Sequence, residues 1–568
     1  MRSGFLKTAL APAVMVAALL GAEHQRPARA AAAIPNDDKT IVHVLNRITF
    51  GPRQDDVAKV RAIGLQAYIE QQLDPERIPD EAMTARLVGF ATLEMSSRQI
   101  AETYALPALA ARRARQQAAA RSSDAPRMDA PLPPMPVQQE ANRVMAELAS
   151  QKLLRAVYSD RQLEEVLVDF WFNHFNVDAR KGQTRFMLTE YERDVIRPHV
   201  FGKFRDLLGA TAKSPAMLFY LDNWMSASAT AGQDQFGRRG QQRSGQRRVQ
   251  RGGAPFPAMP APQVNAQRMP RGLNENYGRE LMELHTLGVD GGYTQTDVTE
   301  VARAFTGWTI QNPRLGGGYL FNPRLHDRGR KMVLGHEIKA GGGEEDGEQV
   351  LDVLATHPST ARFISTKLAR RFISDTPPAA VVDRMAATFR RTDGNLREVM
   401  RTLLTSPEFL SPDAYRAKVK TPLEFVVSAV RASGTEVPEA MPLVRAMQQL
   451  GMPLYMCQPP TGYKDTADAW VNTGALVNRM NFALQLAGNR LRGGAGRRIL
   501  PDSGSNGSAG NGASPDSVGA ALQGVPDRII RTVLNNDISA TTRDTIAKAT
   551  TPEQMLALTL GSPEFQRR

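Results

Sequence analysis

The sequence has one cysteine, Cys457, in 568 residues. That excludes an internal disulfide framework and any cysteine-rich zinc or iron–sulfur centre. Aromatic residues make up only 6% of the chain. No run approaches the roughly eighteen consecutive apolar residues of a membrane-spanning helix, so no transmembrane segment is expected. The catalytic signatures that spacing alone reveals are missing too. There is no Gly-x-Ser-x-Gly elbow, no phosphate-binding loop and no dinucleotide fingerprint, and His336-Glu337 lacks the second histidine of a zinc protease helix. Cys457, within Tyr455-Met456-Cys457-Gln458-Pro459-Pro460, reads as an inert thiol packed against prolines. What is present is a hydrophobic fraction of 42%, enough for a buried core and too much for a wholly disordered chain.

The first thirty residues read as a cleavable export signal. Arg2 and Lys7 form a short positive region, Ala9 to Ala22 is apolar, and Ala28-Arg29-Ala30 supplies a small-x-small cleavage pattern. No cysteine follows the apolar run, which argues against a lipoprotein anchor, and no Arg-Arg pair precedes it, which favours the general secretory route. The expected location is periplasmic or extracellular. The net charge of +13 is concentrated in two places. Residues 1–30 carry +3 and residues 226–271 carry +7, the latter through eight arginines against Asp234, which leaves +3 for everything else. A nearly neutral folded part does not display the basic groove of a specific nucleic-acid binder.

Three stretches are too poor in large apolar residues to offset the entropy of ordering: 112–140, 226–271 and 493–526. The resulting division is a signal peptide at 1–30 and a helical domain at 31–492 interrupted at 112–140 and 226–271. A Gly/Ser linker at 493–526 and a C-terminal helical segment at 527–568 complete it. The rest reads as mainly α. Leu163, Leu167, Phe170, Trp171 and His174 recur at helical spacing over 161–174, and Thr294-Gln295-Thr296-Asp297 is a capping box opening a helix over 296–308. Amphipathic patterns predict further helices at 348–356, 359–374, 379–391, 395–405 and 421–433. One β-hairpin is expected at 318–335, with Tyr319-Leu320-Phe321 and Lys331-Met332-Val333-Leu334 flanking His326-Asp327-Arg328-Gly329. Leu404-Thr405-Ser406-Pro407-Glu408-Phe409 is echoed by Leu560-Gly561-Ser562-Pro563-Glu564-Phe565. Both read as helix starts with Ser as cap and Pro in the first turn.

Chemistry-bearing residues gather in three polar runs. In Trp171-Phe172-Asn173-His174-Phe175-Asn176, His174 shares the apolar stripe and points inward, as a core histidine or as a ligand or base. In the run from Asn274 to Gly288, Asn276, Glu280 and Glu283 fall within about 60° of one another on a helical wheel, and His285 lies about 140° from Glu280. Asn276, Glu280 and Glu283 could hold a hard divalent cation or act as acid and base, or form a solvated face with Arg279 as counter-ion. His285 precedes Leu287-Gly288, a helix stop, where it can cap the last carbonyls. In the third run, Asp327 beside His326 can fix the imidazole tautomer, with Lys331 four residues on, or the pair can simply close a turn.

These residues resemble the bacterial family known as domain of unknown function 1800. The likeness is carried by Trp171-Phe172-Asn173-His174-Phe175, by Asn274 to Tyr277 with Arg279-Glu280-Leu281 and Glu283 to Gly288, and by Asp297-Val298 through Ala302-Arg303 to Thr306-Gly307-Trp308. His326-Asp327 with Lys331 to Gly335, His357-Pro358 with Thr360-Ala361, and Pro459-Pro460-Thr461-Gly462-Tyr463 extend it. It runs from about residue 40 to about 490, and Gly278 stands where the family motif usually has Ala, at some expense in helix stability. The resemblance implies an exported, mainly helical bacterial protein. It also implies a genomic neighbour, exported by the twin-arginine route, that looks like phosphatases and sulfatases, and it supplies no activity.

Two functional expectations follow. One is a periplasmic or cell-surface enzyme of hydrolase type. Its metal set would be His174, Asn276, Glu280 and Glu283, and its catalytic set Glu280, Glu283, His285, His326 and Asp327, all converging in one cleft. The other is a non-catalytic scaffold or accessory partner of the phosphatase- or sulfatase-like neighbour, with the same residues forming a buried structural network. In either case the Arg-rich stretch 226–271 is expected to contact anionic envelope polymers at most weakly.

Overall fold

The computed structural model describes residues 34–121, 136–229, 272–489 and 523–568. Within them the chain is mainly helical, with two antiparallel pairs of three-residue strands. The main apolar core takes in residues from Ile41 to Phe565, so the C-terminal helices pack on the same interior as the N-terminal ones, and a smaller cluster gathers around Ile100, Tyr104 and Phe186. No helix among the described residues is long and apolar enough to cross a membrane.

Local chemistry starts the helices where the sequence reading places them. Thr294 and Asp297 exchange side-chain-to-backbone hydrogen bonds at the head of Gln295–Ala304, and Thr421 and Glu424 do the same for Pro422–Ser433. Asn395 caps Leu396–Leu404. The remaining predicted helices form as Gln162–His174, Glu344–Thr356, Pro358–Phe372 and Ala379–Arg391.

Four expectations are corrected. The helix expected over 296–308 stops at Ala304 because Gly307, at φ 82°, turns the chain into strand β1, Trp308–Ile310. The single hairpin over 318–335 is two pairings. β1 pairs with β2 (Tyr319–Phe321), and β3 (Lys331–Val333) pairs with β4 (His336–Ile338). Leu334 and Gly335, both at positive φ, provide the tight turn that gives β3 a nearer partner than β2. The repeated Ser-Pro-Glu-Phe segments are turns that end helices rather than start them. Each serine hydroxyl accepts from the phenylalanine amide three residues on, at 3.2 Å, and each phenylalanine is fully buried. Finally, part of 112–140 is helical, in Leu106–Arg121 and Pro136–Tyr158, because Ala, Arg and Gln are strong helix formers and the two helices share a small apolar cluster through Ala108, Ala141 and Val144. The remainder of that stretch, nearly all of 226–271 and nearly all of 493–526 lie outside the described residues.

Long-range contacts close the fold. The first described helix, Asp38–Ile48, places His43 Nε2 2.7 Å from the carbonyl of Phe409 and donates from Arg47 to the carbonyl of Ala414. The helix Glu275–Glu280 lies so close to Gln295–Ala304 that a Cβ on Gly278 would sit 2.7 Å from the carbonyl oxygen of Val298. Glycine at 278 is therefore a packing requirement in this chain rather than a mild loss of helix propensity. The described residues on either side of 230–271 meet, Ala227 N donating to Gly272 O at 3.1 Å.

Candidate functional site

The helix Gln162–His174 buries Phe170, Trp171 and His174 and ends in the first polar run. Its asparagines act on a distant loop. The Asn173 side chain donates to Tyr463 O at 2.8 Å and accepts from Tyr463 N at 2.7 Å, while Asn176 donates to the carbonyls of Cys457 and Pro459, both at 2.9 Å. Gly462, at φ 74°, lies against Asn173, where a Cβ would be 2.2 Å from its carbonyl oxygen. That close approach accounts for the glycine in Pro459-Pro460-Thr461-Gly462-Tyr463. Cys457 is buried in the same loop, and burial pushes its thiol up to about 11, consistent with an inert thiol.

His174 is 2% exposed. Its Nδ1 lies 2.8 Å from Lys367 Nζ and its Nε2 3.1 Å from the carbonyl oxygen of His285. An ammonium can only donate, so beside protonated Lys367 the His174 proton sits on Nε2 and Nδ1 accepts. Burial, then Lys367, then His285 hold the His174 imidazole well below its ordinary range. Burial and Lys367 push His285 down to about 3. His285 reaches this place because Leu281–Thr286 is a π-helical turn, with Leu287 N donating to Met282 O at 2.7 Å. It does not cap the helix end as expected. Its ring is buried 5.1 Å from that of Phe175.

Lys367 stands on Pro358–Phe372 and faces a cavity of about 400 Å³. His174 and Asn173 line it from one side, Leu284 and Phe363 from another, and Tyr463, Lys464 and Asp465 from the clamped loop. Arg370 and Arg371 line it beside Lys367. Burial and then Arg370 push the Lys367 ammonium down to about 8, with Asp465 opposing. Beneath the cavity, Arg371 is ion-paired with Glu424, and the Arg568 guanidinium lies 2.9 Å from the same carboxylate. Against its own burial, Arg371 and Arg568 hold the Glu424 carboxyl well below the usual range. Lys418 completes the layer with Asp375 at 2.6 Å.

The remaining predicted residues go elsewhere. Asn276 is exposed, and Glu280 and Glu283 are half-buried. Glu283 accepts from the Tyr293 hydroxyl at 2.9 Å, while burial and then Glu283 push the Glu280 carboxyl up, with Arg279 opposing. None of Asn276, Glu280 and Glu283 lines the cavity that His174 faces. Among the described residues, no three His, Cys, Asp or Glu side chains are placed to hold a metal ion. The set His174, Asn276, Glu280 and Glu283 therefore does not fit one.

The third run forms a separate, sealed network. His326 Nδ1 lies 2.8 Å from Thr306 O, and its Nε2 lies 3.1 Å from Asp346, which also receives Lys331 Nζ at 2.6 Å. The three side chains are at most 1% exposed. The carboxylate that orients His326 is thus Asp346 and not the neighbouring Asp327, which instead receives a bidentate pair from Arg303 at 3.0 and 3.1 Å. Of the predicted residues, then, His174 and His285 come together, while Glu280, Glu283, His326 and Asp327 do not join them. Sequence reading missed Lys367, Arg370 and Asp346. The first two carry a signal in retrospect, since Lys367, Arg370 and Arg371 share one helix face at i, i+3, i+4 spacing.

No curated protein and no solved structure matches the chain. The family described as "Protein of unknown function (DUF1800)" matches residues 43–567, a span that contains the clamped loop, the cavity and the sealed network. The chain belongs to the DUF1800 family.

Proposed function

We propose that the protein is an exported enzyme of hydrolase type whose proton-transfer centre is the Lys367–His174 pair. The observation that carries this reading is the 2.8 Å contact between Lys367 Nζ and His174 Nδ1 at the wall of the cavity. The groups facing Lys367 are Arg370 on its own helix, His174 from Gln162–His174, and Lys464 and Asp465 from the clamped loop. An amine pushed down to about 8 exchanges its proton near neutral pH. As ammonium it donates to a leaving group, and as free amine it accepts a proton from water. His174, kept neutral by burial, orients Lys367 through Nδ1 rather than taking the proton itself. Export is supported by the pattern of the first thirty residues.

Rates of Lys367 modification by an amine-reactive reagent, read by peptide mass spectrometry across pH 6–11, test the pair. A midpoint near 8 supports it, and one at the ordinary lysine value of about 10.4 overturns it. Hydrolysis of activated aryl esters should follow the same midpoint and disappear in a folded Lys367→Met variant. Cell fractionation with N-terminal sequencing tests export, the expected product beginning after Ala30.

A second reading, an accessory subunit of a secreted phosphatase- or sulfatase-like protein, draws on one observation. Val471, Leu476, Val477 and Leu484 are about half exposed on and beside the helix Thr473–Ala487. Charge reversal at Leu476 and Val477 would then abolish capture of that partner and leave aryl-ester hydrolysis unchanged. The Arg-rich stretch adds a weak, salt-sensitive contact with anionic envelope polymers, which its deletion would remove at low ionic strength.

A further inference from the structure

Charge placement at the cavity says what class of molecule enters it. Many buried and half-buried cations in this protein have carboxylate partners. Lys152 is 2.9 Å from Asp169, Arg197 is 2.7 Å from Glu165, Lys331 is 2.6 Å from Asp346 and Lys418 is 2.6 Å from Asp375. Buried Arg47, Lys420 and Arg479 form no such pair among the described residues, and neither do Lys367 and Arg370, which differ from those three in lining the cavity. Neither has a carboxylate within 4 Å among the described residues, although they stand one helical turn apart, line the same cavity and repel each other. Arg370 Nε donates to the Asp375 carbonyl at 3.2 Å, which fixes the plane of its guanidinium without neutralising it.

Two of the carboxylates nearest the cavity are already engaged, Asp169 with Lys152 and Glu424 with Arg371 and Arg568. Asp465 is shared loosely between Lys418 at 3.7 Å and Arg371 at 3.9 Å, and its Oδ2 is buried without a hydrogen-bond partner among the described residues. Behind them Arg47 is fully buried, and two of its three guanidinium nitrogens have no acceptor among the described residues. The region therefore holds more positive charge than its own side chains balance. Placing like charges side by side in a partly desolvated wall is unfavourable unless a counter-charge arrives.

The rest of the lining has a different character. Phe170, Leu284, Phe363, Met452 and the ring of Tyr463 contribute apolar surface, and Phe363 stands on the same helix as the cations, its ring centroid 5.6 Å from Lys367 Nζ. A ligand that fits this lining has an anionic head and an apolar or ring-shaped body, and about 400 Å³ is the volume of a small-molecule site.

We propose that the cavity binds an organic oxyanion. Its carboxylate, sulfate or phosphate group sits between Lys367 and Arg370, with Lys464 at the mouth, and its body lies against Phe170, Phe363 and Tyr463. This rests on the reading of the cavity as the functional site and names the substrate class of that site. Arginine supplies the planar, permanently charged half of the cradle. Lys367 supplies the half whose charge changes with its proton.

The test is calorimetric titration of the full-length protein, at low ionic strength and pH 7, with phenyl phosphate, phenyl sulfate, benzoate, inorganic sulfate and neutral phenol. At least one of the three aryl oxyanions should bind, phenol should not, and inorganic sulfate should bind more weakly than phenyl sulfate. Arg370→Gln should weaken the best aryl oxyanion by about tenfold or more, the loss expected for one charge-assisted hydrogen bond. Arg370→Lys should recover most of it, which separates loss of charge from loss of structure. Failure of every anion to bind, or equal binding by wild type and a folded Arg370→Gln variant, overturns the proposal. Inorganic sulfate binding as tightly as phenyl sulfate overturns the apolar half of it. If the aryl oxyanion binds but Lys367 titrates at its ordinary value, the proton-transfer reading fails and the binding proposal stands.

Discussion

Two buried networks in this protein pair a histidine with a lysine, and they are built to opposite plans. Around His326, Lys331 and Asp346 charge is matched: one carboxylate receives both basic side chains, and all are sealed from solvent. Around His174, His285 and Lys367 no carboxylate of the described residues comes within 4 Å of the lysine, Asp465 facing it only across the cavity lining, and a second cation stands beside it. The first is matched in charge, both basic side chains meeting Asp346 Oδ2, although Asp346 Oδ1 is buried without a hydrogen-bond partner among the described residues. The second leaves Lys367 and Arg370 without a carboxylate within 4 Å among the described residues, which is the observation behind the proposed oxyanion site.

The sharpest way to break the contrast is to remove the shared carboxylate. Asp346→Ala should destabilise the protein by about 3–5 kcal/mol, because Lys331 is left buried without a counter-charge and His326 Nε2 without its hydrogen-bond partner. Chemical denaturation checks this, and a loss under 1 kcal/mol would show the matched network to be dispensable. Next in size is the pair of lysine deletions. Lys331→Met should cost about 2–4 kcal/mol by stranding Asp346. Lys367→Met should be neutral or stabilise by up to about 1 kcal/mol, since it removes an unmatched cation.

Acid should weaken the fold through three buried histidines, two of them beside Lys367 and one on the first helix. His43 and His285, each pushed down to about 3, and His174, held well below its ordinary range, stay neutral in the fold, whereas in the unfolded chain they protonate near pH 6.5. The unfolded state therefore binds more protons as pH falls from 6.5 toward 3. Stability should drop over that window by about 1.4 kcal/mol per pH unit for each such histidine. His285→Asn should flatten the slope measured by thermal unfolding between pH 7 and 5. Lys367 acts in the alkaline direction: its folded value of about 8 lies below its unfolded one, so stability should rise between pH 8 and 10 and stop rising in Lys367→Met. The smallest effect is expected at Gly278, whose helix continues into the turn that carries His285 and packs on the one that carries Arg303. Gly278→Ala should lose about 1 kcal/mol, the packing strain outweighing the gain in helix propensity.

Most of the fold was legible because helix starts are local chemistry. Thr294 with Asp297, Thr421 ahead of Pro422 and Glu424, and Asn395 ahead of Leu396 announce themselves within four residues. Strand pairing is not local in that sense: nothing near Tyr319–Phe321 says that its partner is Trp308–Ile310 rather than Lys331–Val333. The site was legible only in part, for the same reason. His174 could be read as inward-facing from its stripe, but Lys367 and Arg370 look like ordinary solvated charges on an amphipathic helix until the clamped loop and Gln162–His174 close over them. A wheel drawn at 100° per residue also assumed that the helix from Asn274 stays α-helical, and the π turn at Leu281–Thr286 breaks that assumption just where His285 lies. Asp346 was invisible because it meets His326 from twenty residues away.

The docking of Asp38–Ile48 onto the carbonyls of Phe409 and Ala414 has a kinetic consequence. Helical proteins usually fold fast because their contacts are near neighbours in sequence, yet this helix waits for partners more than 360 residues downstream. Until they arrive, His43 and Arg47 have nowhere dry to go, and the apolar face of the first helix stays open to water. Refolding is therefore governed by a late long-range closure rather than by helix formation, and fluorescence of the buried core should recover well after far-ultraviolet dichroism does.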